Sequence, residues 1–198
     1  MMLVEETTVP QLALPVAQFK DHMRLGSGFS DDGLQDGVLE SYLRAAMAAI
    51  EARTGKILIE RSFSWTLTGW RDARRQPLPV APVSGISEVT LITLEGIETA
   101  AADSWYLEPD MQRPSLKASG TSLPAIPTNG RVRIGLLAGY GPEWSDLPAD
   151  LAQAVLMLAA HYYEYRHDVT HGTPSMPFGV SALIEQYRSV RLFMGGPL

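Results

Sequence analysis

Histidine and carboxylate side chains near the end of a predicted helix are the residues best suited to chemistry. His161, Glu164, Asp168 and His171 stand at offsets of 0, 3, 7 and 10, which would place them on one side of a continuous helix. Imidazole nitrogens and carboxylate oxygens are common ligands of divalent metals. The set therefore raises one alternative function, a small metal-dependent hydrolase that uses His161, Glu164 and Asp168.

The residues around this set argue against that hydrolase. Thr170, Gly172 and Pro174 predict that the helix ends near Asp168, which would take His171 off the shared face. The His-Glu-x-x-His spacing of a metalloprotease is absent. We interpret these side chains as solvated residues at a helix terminus, and we expect neither a metal nor a cofactor.

Two other catalytic patterns are also missing. Gly135, Gly139 and Gly141 have the spacing of a glycine-rich loop, but no Lys-Ser/Thr pair follows. Pro142 and Trp144 occupy the place where a phosphate-binding helix would begin. Gly-x-Ser-x-Gly, the motif of a hydrolase nucleophile, does not occur. The sequence therefore predicts no catalytic residues and a protein that is not an enzyme.

Arginines beside aromatic residues form two clusters that suit binding. The first comprises Trp70, Arg71, Arg74 and Arg75, and the second comprises Tyr187, Arg188, Arg191, Phe193 and Met194. Such clusters anchor protein interfaces, and they also bind single-stranded nucleic acid. The net charge of −6 favours the protein interface, because nucleic-acid binding depends on neutralising phosphates.

Composition sets the broad class of protein. The chain has 198 residues, of which 45% are hydrophobic and 19% charged. At this size it can bury a hydrophobic core without disulfide bonds or a structural metal. It contains no cysteine, which suits a reducing compartment. No apolar run approaches the roughly 20 residues of a membrane span, and the acidic start is unlike a secretory signal. We expect a soluble, intracellular protein with no membrane contact.

The elements that must position these clusters are helical at both ends of the chain. A first helix is predicted to begin at Leu14-Pro15 and to end at the glycines of residues 26–28. A second is predicted from Asp31 or Asp32 to Gly55, with apolar residues at helical spacing. Leu147-Pro148 is predicted to begin the long helix that carries His161. A short terminal helix is predicted over residues 183–193.

The middle of the chain has the period of strands. From Ile57 the residues alternate, and Phe63 and Trp65 are predicted to face the core. A hairpin is predicted around Glu95-Gly96, followed by a strand at residues 105–107, a long loop at 110–130 and a strand at 131–137. The fold class is therefore α+β. N-terminal helices precede a small antiparallel β unit with long loops, and a long helix and a short terminal helix follow.

These elements predict a single domain over residues 1–198. A helical core is expected from residues 14–55 and 147–193, a β insertion from about 56–140, and a mobile tail at 194–198.

Several motifs occur in an order known from one family. They lie at residues 43–55, 70–71, 78–83, 106, 113–114, 138–141, 148–151, 160–164, 176–180, 187–188 and 191–192. Ala138-Gly-Tyr-Gly141 and Met176-Pro-Phe-Gly-Val180 are examples. In this order the chain resembles the head-tail connector, or adaptor, family of bacteriophages and gene transfer agents.

The resemblance implies a structural role in a particle. It implies a ring subunit in twelve copies beneath the portal protein, with a lower surface for the next tail-completion, stopper-like protein. Double-stranded DNA would pass through the ring without sequence reading. The protein would be made in the bacterial host cytoplasm and would be located at the head-tail junction of the virion or gene transfer agent particle.

We expect the two arginine clusters to serve different contacts in such a particle. The first is a candidate ring interface. The segment 180–198 would dock on the portal, with Tyr187, Phe193 and Met194 as apolar anchors and Arg188 and Arg191 binding acidic groups. The alternative is a helix that packs permanently on the long helix through Val180, Leu183, Ile184 and Tyr187, and the sequence leaves both open.

Overall fold

Four α-helices pack together in the computed structural model, which describes residues 2–24, 35–101, 104–166 and 176–188. They are α1 (Val16–His22), α2 (Asp36–Thr54), α3 (Ala149–Glu164) and α4 (Phe178–Ile184). Short 3₁₀ turns lie at Gln11–Ala13, Trp144–Asp146 and Glu185–Tyr187. Both ends of the chain contribute to this helical unit, as predicted.

The second helix follows its predicted pattern. Leu39, Leu43 and Ile50 are fully buried at helical spacing. Gly55 ends the helix in the left-handed conformation, with φ 69°, and its N–H donates to Glu51 O. A glycine adopts this conformation without the steric cost of a Cβ atom. The predicted caps Asp31 and Asp32, and the glycine loop at 26–28, lie outside the described residues.

The long helix α3 has the predicted buried face but a different end. Leu151, Val155, Leu158 and Ala159 are buried. The helix ends at Glu164, short of the predicted end near Asp168. The aromatic residues near its end lose side-chain freedom in a helix, so they favour it less than the alanines before them.

Five strands form the larger antiparallel sheet, in the order β1-β2-β8-β4-β5. They are β1 (Met2–Glu5), β2 (Arg61–Leu67), β8 (Arg131–Ala138), β4 (Val83–Ile92) and β5 (Glu98–Ala100). Phe63 and Trp65 are buried at alternate positions of β2, as predicted. The predicted hairpin is β4 and β5, which turn at Gly96 with φ 86°.

A second sheet of three strands lies where the sequence mostly predicted loops. Its order is β3-β7-β6, from β3 (Arg75–Pro77), β7 (Ser115–Ala118) and β6 (Trp105–Glu108). Only β6 was predicted, at 105–107. The strand β7 interrupts the segment 110–130 and buries Leu116 completely. A strand of four residues in a segment rich in Pro, Ser and Gly is too short to show an alternating pattern in the sequence.

Two hydrophobic clusters divide the core. One lies among the helices, and the other lies between the two sheets, where Trp65 and Ile134 of the larger sheet and Leu116 of the smaller sheet are buried. Ile57 belongs to the sheet cluster, whereas Leu58 and Ile59 belong to the helical cluster. Because all three are buried, strict alternation fails here, and the strand predicted from Ile57 begins only at Arg61.

A buried ion pair links the helices to the larger sheet. Arg61, only 6% exposed, lies between Glu51, at 2.7 Å from Oε2, and Glu5, at 3.3 Å from Oε1. The other oxygen of Glu51 accepts the Leu58 N–H at 2.9 Å. Burial raises the pKa of Glu51 against the opposing effect of the Arg61 charge. These contacts fix the edge strand β1 and the start of β2 against α2.

The order of elements confirms the α+β class: helices, then antiparallel strands, then helices, apart from the N-terminal strand β1. Among the described residues, no helix combines the length and the apolar character needed to cross a bilayer.

Candidate interaction surfaces

The terminal helix α4 packs on the rest of the helical unit. Val180 and Ile184 are buried in the helical cluster, with Leu183 and Tyr187 packed beside them. This is the arrangement of the predicted permanent helix. Phe178 points the other way and is 88% exposed. The helix α4 is therefore packed into the core through one face, and it exposes the Phe178 side chain to solvent.

Asp150, in the first turn of α3, holds the end of this segment. The Tyr187 hydroxyl donates to Asp150 Oδ1 at 2.7 Å, and the Gln186 side-chain amide donates to Oδ2 of the same carboxylate. Burial and the adjacent Asp150 carboxylate raise the pKa of Tyr187, because both disfavour a phenolate. We call this set of three residues the Asp150 clasp. It fixes Gln186 and Tyr187 against the start of α3.

The structure describes only part of the predicted portal cluster. Tyr187 lies in the clasp, and Arg188 is exposed, with its guanidinium 3.0 Å from the exposed Glu185 carboxylate. Arg191, Phe193 and Met194 lie outside the described residues, as does the predicted tail at 194–198. The geometry therefore gives the position of the base of this segment, up to Arg188.

The first arginine cluster lies on the smaller sheet. The Trp70 indole N–H donates to Pro124 O at 2.7 Å, and its ring packs against the sheet cluster. Arg74 Nε donates to Thr121 O at 3.2 Å, and Arg75 Nε donates to Ser115 Oγ at 3.0 Å. Trp70 is thus half-buried and structural, whereas the three arginine side chains remain exposed around it.

Further basic residues extend this surface. Lys117 lies 2.5 Å from Glu108 Oε1, and Arg75 lies 3.6 Å from the other oxygen. Residues 69–77 and 104–124 contain five Lys and Arg against three Asp and Glu, in a chain with 16 Lys and Arg against 22 Asp and Glu. We call this region the basic end of the molecule.

A buried lysine that sequence reasoning missed supports the basic end. Lys56 follows Gly55, is 1% exposed, and donates from Nζ to Met111 O at 2.8 Å and to Gln112 Oε1 at 2.6 Å. Burial lowers its pKa, and the nearby Asp110 carboxylate opposes this effect. The ammonium therefore fastens the 108–114 loop to the end of α2. No motif in the sequence distinguishes Lys56 from an exposed lysine.

The glycine pattern at 135–141 has a packing function. Gly139 has φ 142°, and a Cβ atom there would overlap the backbone of Glu60. A Cβ atom on Gly141 would overlap the Asp146 side chain, which accepts the Glu143 N–H at 2.9 Å. These glycines permit close approach of the chain to itself. This explains their spacing without any phosphate.

The candidate metal ligands do not form a described site. The His161 ring contacts the Tyr165 ring in a tilted arrangement, with ring centroids 4.6 Å apart, and Glu164 is the last residue of α3. Asp168 and His171 lie outside the described residues. Across the part of the chain that the structure describes, no three His, Cys, Asp or Glu side chains are grouped to hold a metal. Neither this geometry nor the comparisons below support the hydrolase alternative.

The chain is similar over its full length to proteins of known particles. The chain is similar, at 56% identity and a TM-score of 0.90, to a chain in the neck of an empty gene transfer agent particle determined with sixfold symmetry. It is similar, at 56% identity and a TM-score of 0.88, to a chain of the virion of a native gene transfer agent particle. A third similar chain lies in the neck of the native particle, determined with twelvefold symmetry. Its identity is 52% and its TM-score is 0.85. All three alignments cover 100% of both chains.

No model of a known protein family matches the sequence, and none of the curated proteins does. The full-length likeness instead defines the class, a structural component of a virus-like particle. The chain belongs to the neck proteins of gene transfer agent particles, located at the head-tail junction.

Proposed function

We propose that this chain is the head-tail adaptor of a gene transfer agent or tailed phage. It forms a ring beneath the portal protein, links the portal to the next tail-completion protein and leaves a passage for DNA. The observation that carries the proposal is the full-length likeness, at 52–56% identity, to chains in particle necks of sixfold and twelvefold symmetry. The adaptor motifs in the sequence support the more specific role.

A closed ring of identical subunits places constraints on the surface. Each subunit must present two different patches, one to each neighbour. The basic end, with Arg71, Arg74 and Arg75 exposed around Trp70, is one such patch. Outside the basic end the same chain has 11 Lys and Arg against 19 Asp and Glu. Opposite charges on the two patches would steer neighbouring copies together and fix their orientation.

The segment after Tyr187 is the proposed contact with the portal. Tyr187 itself is held by the Asp150 clasp at 2.7 Å, and α4 is seated on α3. Arg188 therefore follows a fixed base, and Arg191, Phe193 and Met194 are the predicted anchors. A fixed base limits the ordering cost that a wholly free segment would incur on binding.

The charge of the chain suits the passage of DNA. At a net charge of −6, the ring as a whole would repel phosphates. A wall that bound phosphates tightly would oppose movement of the duplex. The proposed role is therefore a conduit with no sequence reading and no chemical step.

The test is assembly with the portal protein of the same particle, imaged by electron microscopy. The expected product is a portal carrying one ring of this chain. Removal of residues 189–198 should abolish attachment and leave the thermal unfolding unchanged. Removal from residue 180 would be less informative, because Val180 and Ile184 are core residues. A portal that stays bare with the full chain would overturn the proposal.

A matched pair of variants separates the two proposed surfaces. Arg71→Glu, at the basic end, should weaken contacts between copies. Arg188→Glu should weaken attachment of each copy to the portal. If Arg71→Glu rings are complete and as stable as the unmodified ring, the basic end has no part in the ring interface.

A further inference from the structure

We propose that the two free margins of the larger sheet join neighbouring subunits, so that β1 of one copy pairs with β5 of the next. This inference rests on the proposed ring and names a second contact within it, independent of the basic end. Its occupant is another copy of the same chain.

The strand β1 is a margin of the larger sheet that no other described strand covers. It lies at one margin of the sheet and pairs with β2 in continuous register. All four of its residues are exposed, including three successive apolar ones, Met2 at 61%, Leu3 at 37% and Val4 at 36%. Soluble proteins protect such edges by keeping them short or by placing charged residues, a proline or a bulge there. β1 is short and carries one charge, Glu5. Residues 2–5 contain no lysine or proline.

The backbone of β1 offers hydrogen bonds toward this open margin. The Glu6 N–H donates to Ser62 O at 2.9 Å, which identifies Glu6 and Ser62 as a bonded pair of the ladder. Bonded and non-bonded pairs alternate along antiparallel strands. The N–H and C=O groups of Leu3 and Glu5 therefore point away from β2, toward the position of a further strand.

The opposite margin has the same character. β5 is exposed along its length. The Thr93 N–H donates to Ile97 O at 3.0 Å and the Ala101 N–H to Val89 O at 2.8 Å, so by the same alternation the backbone groups of Glu98 and Ala100 point outward. The adjoining hairpin tip adds Leu94 and Ile97, 69% and 62% exposed.

Ring symmetry relates these two margins. A subunit in a ring contacts its neighbours through unlike surfaces, and the two ends of one sheet are unlike surfaces that both accept a strand. The five strands alternate in direction, so β1 and β5 run the same way. A twelvefold axis turns each copy by only a twelfth of a turn. The pairing that we propose between copies is parallel in strand sense.

The chain itself supplies a clean test, because it contains no cysteine. Val4 and Ala100 lie on the same face of the sheet, the one opposite Trp65, as the register shows. The double variant Val4→Cys with Ala100→Cys, assembled on the portal and oxidised, should give a covalent ladder of many subunits. Met2→Cys with Ala100→Cys covers a register shifted by two residues. Each single-cysteine variant should stay uncrosslinked.

Backbone variants test the hydrogen bonds directly. Leu3→Pro removes a donor that points away from β2, whereas Leu3→Ala removes the same side chain and keeps the donor. Leu3→Pro should reduce the fraction of portals with a complete ring at least about tenfold relative to Leu3→Ala, since the lost bond recurs at every contact.

The outcomes separate this inference from the proposed function. Complete rings on the portal without a ladder from either double variant would overturn the edge pairing and leave the adaptor role standing. A dimer from Val4→Cys alone would also overturn it, in favour of two β1 edges meeting symmetrically. Bare portals with the unmodified chain would remove the adaptor role itself.

Discussion

At the scale of single residues, a few buried polar groups fix how the helical and sheet units meet. Arg61 and Lys56 are both charged and buried. Arg61 contacts Glu51 and Glu5, and Lys56 donates to Met111 O and Gln112 Oε1. A buried charge is tolerated only with such partners. These contacts determine where the chain presents its surfaces.

The Arg61 pair gives the first prediction. Glu51→Gln keeps an oxygen for the Leu58 N–H but removes the charge opposite Arg61. Because Arg61 stays buried with only the more distant Glu5, we expect the free energy of unfolding to fall by about 3 kcal/mol. Urea denaturation measures it. Glu60→Gln, at a half-buried carboxylate that accepts from the Ser84 hydroxyl at 2.7 Å, is the control and should change little.

The Asp150 clasp gives the second prediction. Tyr187→Phe removes the hydroxyl bonded to Asp150 at 2.7 Å and should weaken the seating of α4 by about 1 kcal/mol. Hydrogen exchange of the α4 amides should then be faster. Tyr165→Phe, which changes an exposed tyrosine, serves as the control. Equal protection of α4 in the two variants would mean that the clasp contributes nothing.

Two tyrosines near Asp150, Tyr140 and Tyr187, predict a dependence on alkaline pH. Burial raises the pKa of Tyr140 to about 12, and the pKa of Tyr187 is raised as well. Above pH about 10 the unfolded chain loses tyrosine protons that the folded chain retains. Stability should therefore be unaffected below that pH and decline above it. Tyr187→Phe should show a shallower decline in thermal unfolding measured from pH 8 to 11.

At the scale of elements, two glycines distinguish a requirement for close packing from a low helix propensity. Substitution of each by alanine should have opposite effects on stability. Gly139→Ala should cost about 3 kcal/mol, because its Cβ would overlap the Glu60 backbone. Gly37 is exposed in α2 and has no atom near its missing Cβ. Gly37→Ala should instead stabilise by about 0.5–1 kcal/mol. Urea denaturation of the two variants measures both changes in the free energy of unfolding. Destabilisation by Gly37→Ala as well as by Gly139→Ala would contradict the prediction.

At the scale of the whole molecule, the surface is divided between a basic end, two open sheet margins and the anchored C-terminal segment. Edges of four and three residues bury far less than the roughly 1,200 Å² of a stable interface. We therefore expect the isolated chain to sediment as a monomer. Rings should form only on the portal, where neighbouring sites raise the effective concentration. A stable ring without portal, in analytical ultracentrifugation, would contradict this.

Periodic patterns made the main elements predictable. The apolar spacing of α2 and α3 and the alternation around Trp65 predicted three elements with their buried faces, and Gly55 predicted where α2 ends. Such signals are local, because helix and strand periods repeat within a few residues. The resemblance to adaptor proteins likewise comes from the order of motifs along the chain, and it indicates the particle neck from the sequence alone.

The sequence by itself determined the α+β class, the buried faces of the long elements and the likeness to adaptor proteins. Only the tertiary structure decided that Arg74 and Arg75 brace the smaller sheet, that Tyr187 closes on Asp150, and that β1 is an open edge. These facts join residues more than 30 positions apart. Short strands and buried charges have no repeating pattern of their own, and they become visible only when distant segments meet.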